Sequence, residues 1–364
     1  DNAEVLLTGV KTLSTGGGGS PEWGVAIMER DFAAGLHYEL IDPEDVEDES
    51  LIVSGGFLGS VVESIPMSQV VKGWDERYEP LEAMRMMEQV LQRNVDYVIP
   101  FELGALNTPA ILSVGARAGL KIVDGDAVGR AAPETQMASF IGYGVSLTPM
   151  PLVDHYGNRL VVLESPFPTF ADEVGRWLVT QHPGMAANAH YPMSGSQLRS
   201  AVIPNTISNA IKIGEAIHRA REKGRSGHKA FLDESGATEL IVGEITEIKG
   251  EDRGGFYFNL VGLRGTREYS GHYAEIAIKN ETMLLWVDGK LRVVFPDLIC
   301  ITNPESGEGL MSVELAVGTS IAVSGLPCHS RLRAVMSTEI GQKSLGPHRY
   351  GYPHLSYEPL ENLG

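Results

Sequence analysis

Cysteine is nearly absent: two residues, Cys300 and Cys328, in a chain of 364. No disulfide framework can be built from them. Neither lies in a Gly-rich or electropositive setting that would lower its pKa, so both read as small buried hydrophobes rather than nucleophiles. Positive charge is also scarce, with 29 Lys and Arg against 47 Asp and Glu and a net charge of −18. A surface this acidic repels phosphate backbones and anionic membranes, which argues against nucleic-acid and membrane partners. No apolar run approaches the ~20 residues that span a bilayer, and no leader pattern opens the sequence. A cytoplasmic setting is the expectation.

Several chemical signatures are missing as well. Among ten histidines, His155, His182 and His190 lie nearest the candidate site, but no pair has zinc-ligand spacing. There is no Gly-x-Ser-x-Gly elbow and no Cys/His arrangement. The run Gly16-Gly17-Gly18-Gly19 has neither the dinucleotide spacing nor the Lys of a phosphate-binding loop, so no nucleotide is expected.

What is present is ordinary globular material, 43% hydrophobic and 21% charged, long enough for two domains. Ser20-Pro21-Glu22 opens a helix, with Ser as cap and Pro at the first helical position. Tyr38–Ile41 and Leu51–Val53 read as strands. Pro80–Arg93 has Leu81, Met84 and Leu91 at helical spacing. Tyr97–Ile99, a helix from Thr108-Pro109 through Ala118, and Lys121–Val123 form a parallel crossover unit. An open α/β sheet with helices on both faces follows.

The second part reads differently. Asn205-Thr206 starts one long helix over 206–224. Short strands with turns follow at Leu240–Ile245, Gly255–Leu263, Tyr273–Lys279, Met283–Val287, Lys290–Val294, Leu298–Thr302 and Ser320–Val323. Asp288-Gly289 marks a hairpin, and the pattern suggests a barrel or sandwich over about 238–335. The division expected is an N-terminal domain over 1–165 and a C-terminal region over 166–364.

Chemistry concentrates at two places. Gly16–Gly19 stands before a helix start, where backbone N–H groups and the helix dipole can meet a carboxylate, a phosphate or a developing oxyanion; a tight connector is the plainer alternative. Glu102 and Asn107 flank the loop after one strand, and Asp124 and Asp126 follow the next. Ligands of open α/β sheets bind outside the carboxyl ends of strands, so these side chains are candidates to converge. Arg130, Glu134 and Asp154 follow closely. Such a cluster can supply a general base or acid, hold a divalent metal, or clamp a substrate through Arg130. Capping, turns and ion pairing are the structural alternatives.

The segments Thr15–Gly19, Glu102–Asn107 and Val123–Glu134 resemble, in order, motifs of the S-methyl thiohydantoin desulfurase family. Asp154–Asn158, Asn280-Glu281, Pro296–Ile299 and Leu345–Gly351 also resemble it, so the likeness spans nearly the whole chain. Ala105 and Ala132 depart from the family pattern, as does Gly55-Gly56-Phe57. The resemblance implies an N-terminal three-layer α/β/α sandwich followed by a C-terminal β-barrel-like domain. It also implies hydrolytic removal of sulfur from a thiohydantoin, leaving a hydantoin. On that reading Asp124, Asp126, Glu102 and Glu134 are the expected catalytic acids and bases. Gly16, Gly17, Gly18, Gly19, Asn107, Arg130 and Asp154 are expected to hold a small cyclic amide or thioamide. Two alternatives stay open: a metal-dependent hydrolase that opens a hydantoin ring, and a non-catalytic subunit of an ATP-dependent hydantoinase- or oxoprolinase-like partner. The metal, the cofactor and a homo-oligomer are left open too.

Overall fold

A computed structural model describes residues 2–59, 67–181 and 185–363. His182 lies outside the described residues. Among the described residues the protein is mixed α/β, with two seven-stranded sheets.

The first sheet runs, edge to edge, Leu40–Ile41, Lys121–Val123, Tyr97–Pro100, Leu51–Gly59, Met185–Ser194, Met150–Asp154 and Arg159–Val162. The first four strands are parallel to one another, and the pairings beyond Leu51–Gly59 are antiparallel. The crossover unit read from the sequence is there: Tyr97–Pro100, the helix Asn107–Ala118, then Lys121–Val123. Leu51–Gly59 is longer than the short run expected and lies mid-sheet. Its neighbour Met185–Ser194, from the second half of the chain, completes the same sheet.

The second sheet is antiparallel throughout, in the order Lys290–Val294, Glu281–Val287, Tyr273–Lys279, Phe256–Gly265, Thr238–Arg253, Ser320–Leu326 and Leu298–Thr302. It curls into a half-barrel. Its two edge strands pack close but share no ladder of hydrogen bonds among the described residues, so the barrel expected from the strand pattern is not closed.

Alternation sorts the half-barrel side chains. Ile241, Ile245, Val261, Leu263, Ile276 and Leu285 point inward and form a small core of their own, as period-2 strands with one enclosed face require. A larger core includes side chains from both halves, including Ile52, Ile99, Met283 and Phe295. The halves are also joined where the helices Asn2–Leu13 and Thr206–Glu222 cross. A Cβ on Gly9 would lie 1.7 Å from the Ala210 carbonyl oxygen, and one on Gly214 would lie 1.9 Å from that of Val5. Glycine at both positions lets the two backbones touch. Among the described residues no helix is long and apolar enough to cross a membrane.

Candidate active site

Chain turns bring one cleft together from both halves. Thr15–Gly19 forms a tight turn with positive φ at Thr15, Gly16, Gly18 and Gly19. The Gly18 carbonyl accepts from the amides of Leu106 and Asn107 at 3.0 and 3.2 Å. That docks the turn on the N-terminus of the Asn107–Ala118 helix. The approach is so close that a Cβ on Gly18 would lie 2.3 Å from the Gly104 Cα. The amides of Gly18 and Gly19 donate to no carbonyl among the described residues, so they are free to meet a ligand.

The half-barrel supplies the opposite wall. Thr282 donates its amide to the Thr15 carbonyl at 3.0 Å, and Ser312 donates to that of Gly16 at 2.8 Å. The Thr282 bond fixes the start of the Glu281–Val287 strand against the turn. Glu281 then lies directly over Gly17, where a Cβ would fall 1.9 Å from its Oε1.

The cleft so formed is lined by Gly18, Gly19, Phe57, Glu102, Asn107, Arg176 and Glu281, with Leu58, Leu106, Ala132, Pro133, Met185 and Asn280 around them. It offers about 60 Å³, the room of roughly four to six waters.

Two carboxylates line it, both almost wholly buried: Glu102 is 3% exposed and Glu281 2%. Glu102 accepts from Asn107 Nδ2 and from the Ala132 amide, each at 2.7 Å. Asn107 is itself pinned to the Leu51–Gly59 strand, accepting from the Phe57 amide at 2.8 Å and donating to its carbonyl at 3.3 Å. Burial pushes the Glu102 carboxyl up to about 7, against the pull of its two donors. Glu281 is pushed up to about 8, chiefly by burial and then by the charge of Glu102, while Arg130 and Arg176 oppose the rise. Its Oε2 has no hydrogen-bond partner among the described residues. Both carboxyls therefore hold a proton to higher pH than an ordinary glutamate does.

Arg176 forms the cationic wall. It donates to the Gly59 carbonyl at 2.8 Å and to that of Pro133, pairs with Asp172 at 3.5 Å, and lies over the Phe256 ring at 4.3 Å.

The other residues singled out from sequence have different surroundings, and none of them lines this cleft. Asp124 accepts from the Ser208 amide at 3.1 Å and from its hydroxyl. It thereby caps the Thr206–Glu222 helix, satisfying donors that the helix start leaves open. Asp126 accepts from the amides of Val128 and Gly129 in a turn. Burial raises its pKa to about 7, and its charge in turn raises that of Glu102.

Arg130 is fully buried and donates to the carbonyls of Ala131, Asp297 and Thr282, at 3.0, 2.8 and 2.6 Å. It is a strut between the halves. Burial lowers its pKa to about 10, which leaves it a cation. Glu134 is held by Lys279 Nζ at 2.5 Å, by Gln136 at 2.8 Å and by Arg349. Burial pushes its carboxyl up, but Lys279 and Arg349 outweigh that, so it titrates below the usual range. Asp154 accepts from the Asn158 amide and side chain at 2.8 and 2.7 Å, closing a turn. Gly16 and Gly17 belong to the turn but not to the cleft lining.

Glu281 and Arg176 are the site residues that sequence reasoning missed. Asn280-Glu281 was visible only as part of the family likeness, and nothing local marks Arg176. Among the described residues, no three His, Cys, Asp or Glu side chains group so as to hold a metal ion. His190 is buried against Phe101 and kept neutral, its pKa lowered to about 3 by burial. Cys300 and Cys328 are buried free thiols.

Comparison with known proteins agrees with the motifs. Residues 1–164 match the S-Me-THD-like N-terminal domain and residues 168–360 match the S-Me-THD-like C-terminal domain. The chain belongs to the S-methyl thiohydantoin desulfurase family. Within the S-Me-THD-like pair, the Gly-rich turn, Glu102 and Asn107 come from the N-terminal domain; Glu281 and Arg176 come from the C-terminal one. A crystal structure of a protein from Chromobacterium violaceum has the same fold, with a TM-score of 0.74 at 23% identity over 99% of this chain and 98% of that one. A search of curated proteins gives no match.

Proposed function

We propose that this protein is a hydrolase that removes sulfur from a thiohydantoin ring, with Glu102 as general base and Glu281 as general acid. The observation that carries the reading is that two buried carboxyls, Glu102 and Glu281, both with pKa raised by burial, line one cleft with the Gly18 and Gly19 backbone. Membership of the S-Me-THD-like family supplies the substrate class.

For an S-methylated ring the steps balance as follows. Water attacks the carbon between the two ring nitrogens and gives a proton to Glu102, while Glu281 protonates the ring nitrogen as the C=N bond opens. The tetrahedral carbon then expels methanethiol, whose sulfur takes the proton from Glu102. The new hydroxyl returns its proton to Glu281 and becomes the hydantoin carbonyl. The amides of Gly18 and Gly19 stabilise the charge that builds on the attacked centre, as preorganised donors do. Arg176 offsets the negative charge of the pair, and Phe57, Leu58 and Met185 exclude bulk water from the ring face. The same reading takes the N-terminal half as an α/β/α sandwich that presents strand ends and a helix N-terminus to the cleft.

The experiment is methanethiol release from an S-methyl thiohydantoin by the purified full chain. Turnover that disappears in both Glu102→Gln and Glu281→Gln is expected. Wild-type turnover in either variant would remove the assignment.

A further inference from the structure

Lys279 and Glu281 stand on either side of a one-residue turn, at the end of the Tyr273–Lys279 strand and the start of Glu281–Val287. They are partners across the two strands, yet they serve different clusters. Lys279 gives its ammonium to Glu134 at 2.5 Å and to the Arg349 carbonyl at 2.9 Å. Glu281 lines the cleft. Thr282, the next residue, is tied down on several sides. Its amide donates to the Thr15 carbonyl at 3.0 Å and its hydroxyl to that of Ile299 at 2.8 Å, while its own carbonyl accepts from Arg130 at 2.6 Å. Both ends of the turn are thus anchored, and what remains to be set is the direction in which Asn280 sends Glu281.

Asn280 is buried, lines the cleft itself and has a φ of 59°. Few residues other than glycine accept that left-handed conformation; asparagine does so because its short amide can bond locally. Here the bonds are to Tyr257, at the start of the Phe256–Gly265 strand. The Asn280 amide donates to the Tyr257 carbonyl, and the Tyr257 amide donates to Asn280 Oδ1, each at 2.8 Å. In a hydrogen-bonded antiparallel pair the facing residue answers with its backbone carbonyl. At Asn280 the side chain takes that role instead. One residue therefore both reverses the chain and clamps the reversal to the neighbouring strand.

We infer that Asn280 is a positioning residue: clamped on Tyr257, it delivers the Glu281 carboxyl into the cleft while Lys279 is sent to Glu134. The inference rests on the reading of Glu281 as the general acid. The separation matters to that chemistry, because an ammonium brought to Glu281 would weaken its hold on a proton. The charged groups that act most on Glu281 are Glu102, Arg130 and Arg176. The Lys279 ion pair goes to Glu134, and none joins it to Glu281 among the described residues.

The test compares Asn280→Gly, Glu281→Gln and the double variant, each as the purified full chain acting on an S-methyl thiohydantoin. Glycine keeps the left-handed backbone within reach but deletes the Oδ1 clamp, so the variant folds. In Asn280→Gly, kcat is expected to fall by about 10–10²-fold with KM within about twofold, the cost of a reacting group misplaced by ~1 Å. In the Glu281→Gln background the same change is expected to alter kcat by less than about twofold, because Asn280 acts through Glu281. Independently of turnover, NMR on isotope-labelled glutamate follows the Glu281 carboxyl, its signal assigned by its loss in Glu281→Gln. Its titration midpoint is expected to fall in Asn280→Gly by about one unit or more, as the carboxyl leaves its buried place. Losses that multiply in the double variant, or an unmoved Glu281 midpoint, overturn the inference. Wild-type kcat in Asn280→Gly, with loss in Glu281→Gln, overturns the positioning role alone. Wild-type kcat in Glu281→Gln overturns the general-acid reading and the inference with it.

Discussion

Two buried clusters of charge in this protein are built to opposite designs. Around Glu134 every charge has an answering one: Lys279 and Arg349 hold the carboxylate, and Gln136 adds a further donor. Its pKa falls below the ordinary value as a result. Around Glu281 the balance is left open. A second buried carboxylate lines the same cleft, one oxygen of Glu281 has no partner among the described residues, and its pKa rises to about 8. The first arrangement holds parts of the fold together. The second keeps a proton available near neutral pH, at a cost in stability. Carboxylates that look alike in the sequence are thus separated by what comes to meet them from distant parts of the chain.

The comparison can be broken first at the cleft. Glu281→Gln and Glu102→Gln should each lower turnover by about 10²–10⁴-fold, the usual worth of a general acid or base. Both should remain folded by circular dichroism. At the other cluster, Glu134→Gln leaves Lys279 and Arg349 without their counter-charge. A loss of about 3–5 kcal/mol in denaturant unfolding is expected. A Glu134→Gln protein as stable as the wild type would erase the distinction.

Stability against pH gives a further contrast with a definite sign. Glu281 and Glu102 have folded pKa values near 8 and 7, above the unfolded value of 4.5. Their contribution is therefore full below about 4.5 and is lost as pH rises through about 7 to 8. Glu281→Gln removes its share of that loss. Its Tm should exceed that of the wild type by more at about pH 8.5 than at about pH 5, by roughly a few degrees. Asp124 gives the smallest effect. Asp124→Ala deletes a helix cap, and should cost about 0.5–2 kcal/mol while turnover per folded molecule is retained.

Much of the fold was legible because its signals are local. Pro21 and Asn205 mark helix starts, Asp288-Gly289 marks a hairpin, and Lys121–Val123 was bounded by its own apolar run. The Met185–Ser194 strand was not foreseen. Its Ala186-Ala187-Asn188-Ala189 core carries neither alternation nor β-branched residues, so its place in the first sheet comes from its neighbours rather than from propensity.

The site divides in the same way. Glu102 and Asn107 follow from the rule that ligands gather beyond strand ends. Glu281 does not, because it reaches the cleft from a hairpin of the half-barrel, docked there by contacts such as Thr282–Thr15. Equally, nothing near Arg130 in sequence announces that the carbonyls of Thr282 and Asp297 occupy its guanidinium. Roles for Asp124 and Asp126 as bases were reasonable from spacing. The structure gives Asp124 to the helix start at Ser208 and Asp126 to the turn at Val128 and Gly129.

The most direct measurement is methanethiol release from an S-methyl thiohydantoin by the wild type, Glu281→Gln and Asp124→Asn side by side. Glu102 and Glu281 as the reacting pair require turnover by the wild type and by Asp124→Asn, and loss of about 10²-fold or more in Glu281→Gln. Full turnover in Glu281→Gln, with loss in Asp124→Asn, would contradict the account.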